Sequence, residues 1–422
     1  MTAHRRLAIC YAAPGQNLLP HAGPTRNVLS VAKSLGQWAD VTVAFRSILE
    51  PFQTDMYRLI AIDAGAKTAS AYQDDNATRG IHPVAHLSYC RTLNAFAREQ
   101  ARSFDVVLEK GWRLSGLLSA AFRRRGVPGI LVENDVRLWT EPVTDVHQLT
   151  KYVLHAAADR VASSCSRRVS MVVAETHELE RLLINHRRIS PDRVKVVGLG
   201  VDHTVFRPTN QDAARRALGI RPDVLVLLYV GAMDEYHDLE PVIDALGRSA
   251  RQNLELHIVG GGEYRARCQA KARHTKTAIR FHGPVPHASV PQYIAASDLC
   301  LSPYRTSAFR GGGVPFSTLK IPEYMACGRA VVGVPSGAQS LIADGVSGFV
   351  RPNDVDSWVS FLDTLPPREH LSRMGRAAAR SVESLAWETT AARYLAICES
   401  IASSAARGDD ESVAVSPAAP AR

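Results

Sequence analysis

The 422 residues are 46% hydrophobic and 22% charged, a globular balance that excludes a disordered polymer, a collagen and a disulfide-stapled mini-protein. At ~150 residues per domain they allow two or three domains. The net charge of +9 is lopsided: residues 1–200 hold 26 Lys+Arg against 18 Asp+Glu (+8), and the remainder 24 against 23 (+1).

A basic half points to an anionic neighbour, either a bilayer surface or an acidic acceptor, with a merely soluble basic surface as the plain alternative. Neither an RNA-binding aromatic motif nor C2H2 spacing is present, so no nucleic-acid partner is expected.

In chain order, Arg5-Arg6 and the apolar run 7–13 imitate the start of a signal peptide. The run meets Pro14-Gly15 without a small-residue cleavage site and falls short of the ~20 residues a membrane-spanning helix needs. A first buried strand over 7–12, closed by a Pro-Gly turn, is expected instead. A helix opening near Thr25 follows. The β-branched runs 41–44, 59–62, 106–108, 130–132, 171–174 and 194–197 read as strands, with helical stretches such as 27–35 and 87–102 between them.

The rhythm pauses at 198–222, which reads as a linker. It resumes with strands at 224–230, 256–259, 279–281, 299–302, 330–334 and 349–350, then an amphipathic helix near 384–403 that carries Trp387. The tail from Gly408 is acidic, then Ser-, Ala- and Pro-rich, a composition that predicts disorder. This alternation predicts an α/β fold of parallel sheets covered by helices on both faces, in two similar-sized domains with an inter-domain cleft. Ligands in such sheets bind beyond the carboxyl ends of the strands, which puts the active site in the cleft. The seven cysteines (10, 90, 165, 268, 300, 327 and 398) are scattered and form no CxxC pair. That excludes a zinc ribbon and fits a reducing, cytoplasmic compartment.

Residues 316–328, Phe-Ser-Thr-Leu-Lys-Ile-Pro-Glu-Tyr-Met-Ala-Cys-Gly, carry the most chemistry. Pro322 lacks an N–H and is tolerated only in a first turn, so a helix must start near 318–321, and Gly328 stops it. The bare amides around Thr318 and Leu319, with the charge of Lys320, suit a diphosphate. Glu323, on the same face, suits the vicinal hydroxyls of a ribose. Taken alone, Lys320 and Glu323 read better as a surface ion pair on an ordinary helix.

Gly23, before the first helix, lets backbone approach a phosphate, although Gly-Pro is also common punctuation there. Gly231 and His237 share a loop directly after a buried strand, and His237 can donate to a phosphate or sugar oxygen or simply cap a helix. Gly260-Gly261-Gly262 lacks GxGxxG spacing and supports a dinucleotide only weakly. Gly311-Gly312-Gly313 lies in a loop able to fold over a sugar, or in a plain connector. Asp354-Val355-Asp356 imitates a metal-binding DxD but reads as a helix cap, and no metal or other cofactor is expected. Glu133-Asn134-Asp135 follows a strand end in the basic half and reads as a cleft group, with a buried turn as the alternative.

The order of these pieces resembles family 4 of the retaining glycosyltransferases, whose GT-B architecture is two facing Rossmann-like domains. Ala22-Gly23-Pro24-Thr25-Arg26-Asn27-Val28, running on to Val41-Thr42-Val43, resembles the N-terminal glycine loop and second strand. Val197-Gly198-Leu199-Gly200-Val201-Asp202 with Phe206 and Pro208 resembles the "PNGVD…F.P" hinge, and Asp344-Gly345-Val346-Ser347-Gly348-Phe349-Val350 the "dG.nG.lv" turn. Tyr236-His237-Asp238 is similar to a "WHG" element, residues 317–326 to "SPLKlfEYMA", and 131–135 to "LE.N.p". Where many members carry Arg and Lys at the positions of 232 and 237, and a Glu eight residues before 323, this chain has Ala232, His237 and Pro315.

The resemblance implies an acceptor-side domain over 1–203, a nucleotide-sugar domain over 204–383, a helix over 384–407 crossing back, and a disordered tail over 408–422. It implies metal-independent transfer from a nucleoside-diphosphate sugar to a hydroxyl acceptor, with retention, for a glycoconjugate, polysaccharide or glycosylated natural product. His237 and Lys320 would assist the leaving diphosphate. Gly23, Gly231, Thr318, Leu319, Lys320 and Glu323 would hold the donor, with Glu133 and Asn134 near the transferred sugar. The acceptor is open, lipid-linked and anionic ones included, and the inner face of a membrane is a candidate surface. The alternative is a non-catalytic partner protein of the same fold, motivated by Ala232, His237 and Pro315. A nicotinamide oxidoreductase is disfavoured by the missing GxGxxG.

Overall fold

The computed structural model describes residues 5–18, 23–48, 54–63, 83–136, 138, 143–308, 314, 316–336 and 340–407. His21, Ala22, the 311–313 glycines, Pro315 and the tail from 408 lie outside them. Two all-parallel sheets organise the described chain. The first takes β1 (Ala8–Leu18), β2 (Asp40–Ile48), β3 (Arg58–Ala61), β4 (Val106–Lys110), β5 (Gly129–Glu133), β6 (Met171–Ala174) and β7 (Val194–Val196) in the order β3-β2-β1-β4-β5-β6-β7. The second takes β8 (Leu225–Val230), β9 (Leu254–Val259), β10 (Ala278–Gly283), β11 (Leu299–Ser302), β12 (Ala330–Gly333) and β13 (Gly348–Val350) in the order β10-β9-β8-β11-β12-β13.

Inner strands such as Leu225–Val230 are nearly all apolar because helices cover both faces. In each sheet the order reverses at the first strand, between β1 and β4 and between β8 and β11, which opens a crevice at the carboxyl ends. These are two Rossmann-like lobes.

Three local expectations are corrected. Pro14-Gly15 makes no turn: β1 runs through it to Leu18, and its register against β2 slips between Ala13 and Asn17. A bulge absorbs a proline that has no N–H for the ladder. The first helix, Gly23–Leu35, starts at Gly23 itself rather than near Thr25. The 198–222 linker contains a helix, Gln211–Ala217, because Asn210 accepts from the Ala213 amide at 2.8 Å and caps an Ala-rich turn. Asp354 is a helix cap, accepting from the Ser357 amide at 2.8 Å.

The helix Trp387–Arg407 packs on the first lobe: Trp387, Ala391, Tyr394 and Cys398 are buried in one cluster with Ile9 and Tyr11 of β1. The two chain crossings between the lobes therefore run side by side. Val201 bridges Ala386, the Val201 amide donates to the Leu385 carbonyl at 2.6 Å, and Thr390 Oγ1 donates to the Gly198 carbonyl at 3.2 Å. A Cβ at Gly200 would sit 2.6 Å from the Trp387 backbone, so only glycine fits there.

Candidate active site

The carboxyl ends of the two sheets meet. Ser317 Oγ donates to the carbonyl of Glu175, one residue beyond β6, at 3.4 Å. Arg26, on the first helix of the first lobe, reaches Glu323 of the second at 3.4 Å.

The helix Lys320–Ala326 starts where Pro322 requires, with Leu319 as an N-cap that supplies no side-chain acceptor. Tyr324 fastens it to the end of β8: its hydroxyl accepts from the Val230 amide at 2.7 Å and donates to the Val230 carbonyl at 3.3 Å. One turn earlier, this brings the Lys320 ammonium 3.3 Å from the Tyr229 hydroxyl, 4.5 Å from the Tyr229 ring centre and 5.2 Å from that of Tyr304. The lysine is buried, and no carboxylate among the described residues forms an ion pair with it. Burial pushes its pKa down to about 7 against the pull of Asp234 and Glu323. Among the described residues, Lys320 is thus a desolvated amine that two aromatic rings and a phenol surround and that no carboxylate pairs directly. Gly231 makes room for it: its φ is +150°, and a Cβ there would lie 3.0 Å from Lys320 Nζ.

His237 is oriented by Asp234. One carboxylate oxygen accepts from the Tyr236 and His237 amides and faces His237 Nδ1, each at 2.9 Å. Burial and the Lys320 charge lower the pKa of His237, while Asp234 raises it. Burial alone would raise Asp234, but the bonds and charge of His237 outweigh it and hold that carboxyl well below the usual range. In the neutral ring, Nδ1–H donates to Asp234 and Nε2 is left as an acceptor, so His237 donates from Nε2 only when protonated, with Asp234 supporting that state. Its ring packs 4.8 Å from that of Tyr304.

The 260–262 glycines serve this loop rather than a dinucleotide. A Cβ at Gly260 would strike the Gly231 carbonyl and one at Gly262 the Met233 carbonyl, and the Gly261 carbonyl accepts from the Met233 amide at 2.8 Å.

Glu323 is mostly buried, and its Oε1 lies 3.4 Å from Arg26 and 3.6 Å from His287 Nε2. Thr318 and Leu319 are half-buried just ahead of Lys320. Gly23 is exposed at the start of its helix, and a Cβ there would meet nothing within 4 Å, so the fold itself does not require the glycine. The structure does not present Glu133 to the cleft surface: it is wholly buried, pairs with Arg187 and wedges against Gly111. Burial, its largest influence, raises its pKa against the Arg187 charge. Asn134, next along, is half-buried.

Sequence reading missed a buried charge cluster at the carboxyl end of the first sheet. Glu175 Oε1 accepts from Lys110 Nζ at 2.6 Å and from Asn27 Nδ2 at 2.8 Å. Its signal was a charged residue at the end of each of two apolar strands. Asp234, three residues before His237, and Tyr324, four after Lys320, were equally readable by spacing.

A fold of two Rossmann-like lobes with an unpaired lysine and a capless helix start in the crevice defines a class that handles anionic ligands. Residues 224–365 match the family model for the group 1 glycosyl transferases. A D-inositol 3-phosphate glycosyltransferase of Thermobispora bispora is 30% identical over 326 residues, covering 72% of this chain and 73% of that one. The same-named protein of Kribbella flavida is 29% identical over 336 residues, with 72% and 73% covered. The chain belongs to this family and is a glycosyltransferase. The fold is shared with sucrose-phosphate synthase from Thermosynechococcus elongatus (TM-score 0.72, 17% identity, covering 94% of this chain and 100% of that one). It is shared also with Anabaena Alr3699/HepE in complex with UDP-glucose (TM-score 0.70, 15% identity, 93% and 100% covered). These structures make the architecture GT-B.

Proposed function

We propose that this chain moves a sugar from a nucleoside-diphosphate sugar to a hydroxyl acceptor, with retention and without a metal. The observation that carries the reading is the buried Lys320 held at Gly231, with no ion-pair partner among the described residues. A diphosphate supplies the missing counter-charge, and a desolvated cation stabilises charge developing on a leaving group far better than a hydrated one. The helix start at Leu319 adds backbone amides, and the charge of a bound diphosphate would favour the protonated His237, which then adds a donor. Glu323 takes the ribose hydroxyls once the ligand displaces Arg26. The bond from the anomeric carbon to the diphosphate breaks, the acceptor oxygen bonds to that carbon on the same face, and the acceptor's proton passes to the departing phosphate oxygen.

The name of the relatives makes an inositol phosphate the first acceptor to try, and the UDP-glucose of the Anabaena structure the first donor. Lys320→Ala should cut transfer at least a hundredfold, about the effect of deleting one preorganised charge-stabilising group. Chelators should leave the wild type untouched. Undiminished turnover in the variant would remove the diphosphate assignment, and loss of activity with EDTA would remove metal independence. No binding across a calorimetric donor panel would favour the non-catalytic partner. The bilayer contact expected from the charge of the first half belongs to a different face of the molecule.

A further inference from the structure

Six of the ten exposed large apolar side chains among the described residues fall within 143–161, on or beside the helix Val146–Ser166. Val146 is 79% exposed, Val153 54% and Leu149 49%. None of residues 146–161 is buried, and the helix packs into the lobe only from Ala162 onward. Val146, Leu149, Val153, Ala157 and Val161 recur at helical spacing and form one outward stripe. The single acid of this helix, Asp159, is held by His186 Nε2 at 2.9 Å, and Asp145 is engaged at its start as the N-cap.

The stripe ends on a basic cluster. Three loops converge there: Arg123 donates to the Arg168 carbonyl, Arg167 to the Arg187 carbonyl at 3.0 Å, and Arg193 to the Arg167 carbonyl at 2.9 Å. Arg124, Arg167, Arg168 and Arg188 are exposed. These loops precede β5, β6 and β7, so the arginines sit at the amino edge of the sheet. The helix joins two adjacent parallel strands and therefore runs back from the cleft side to that edge.

We infer that this face docks on an anionic bilayer, with the helix Val146–Ser166 lying in the interface and the arginines on lipid phosphates. Charge complementarity selects this occupant. The arginines outnumber the exposed acids of this face, Asp145 and Asp192, so a second copy would meet a net like charge, and the chain as a whole carries +9. Nucleic acid would answer the arginines and leave the apolar stripe in water. No described helix is long and apolar enough to cross a membrane, so the contact lies on the surface. The cleft end of the helix then stands at the lipid headgroups, where an acceptor carried on a lipid would enter.

Flotation of the full chain tests this with vesicles of phosphatidylcholine alone and of phosphatidylcholine mixed with phosphatidylglycerol. Binding is expected to the mixed vesicles only, and to weaken with salt. Val146→Ser/Leu149→Ser/Val153→Ser should lose at least tenfold in partition with an unchanged melting temperature and unchanged nucleotide binding. Arg124→Gln and Arg168→Gln should each lose about fivefold. Leu149→Trp should blue-shift its added emission on the mixed vesicles. Equal binding to neutral vesicles, full binding by the triple variant, or no binding at low salt overturns the inference. So does a wild-type dimer that the triple variant splits while neither floats, which would make the face a contact between copies.

Discussion

Lys320 is a stability cost retained at the centre of the cleft. Its pKa of about 7 in the folded chain lies below its ordinary 10.5, so the unfolded state binds more protons between those values and stability rises with pH across that window. Replacing the ammonium by a neutral side chain of similar length removes the desolvation penalty. Lys320→Met should therefore melt on the order of 5 °C higher than wild type at pH 7, with the gap closing as pH approaches 10.5. Calorimetry across that range checks it, and an unchanged or lower melting temperature at pH 7 would show the ammonium to be well solvated. The sequence placed Lys320 on the correct turn, yet treated it as a full positive charge. Burial is a property of neighbours such as Tyr229 and Tyr304, which belong to other elements of the lobe.

At the scale of elements, the helix Lys320–Ala326 is only seven residues long and is fixed by the packing of Ile321, Met325 and Ala326 and by the Tyr324 phenol rather than by its own propensity. Tyr324→Phe takes the hydroxyl away from the half-buried Val230 amide. It should cost about 1 kcal/mol in denaturant titration and raise the donor KM several-fold, because Lys320 is carried on the same turn. An unchanged KM would mean that Lys320 is positioned by something else. The strands were legible because apolar runs bounded by punctuation need no partner to be recognised: 171–174 and 299–302 coincide with β6 and β11. Strand β1 was cut short because Pro14-Gly15 reads as a turn until a parallel neighbour, β2, absorbs it as a bulge. Glu133 was placed toward a sugar because its strand-end position was visible and its partner, Arg187, was not. Contacts three or four residues apart, such as Asp234 to His237, were within reach of the sequence; Arg26 to Glu323, between the two lobes, was not.

For the whole molecule, the last helix makes the first lobe depend on chain that follows the second. Trp387, Ala391 and Tyr394 fill the core of a lobe whose own strands ended nearly two hundred residues earlier. Trp387→Ala should destabilise that lobe by about 3–5 kcal/mol and split one calorimetric transition into two, with the first lobe melting early. A single unshifted endotherm would detach the helix from that core.

The paired crossings at Gly200 and Trp387 have a mechanical corollary. Two leaves joined by adjacent pins cannot slide past or drift apart; they can only swing on a common axle. A molecule gripping both leaves is then closed upon along one arc, so the alignment of its reacting ends is set by the axle before any affinity for them is exerted.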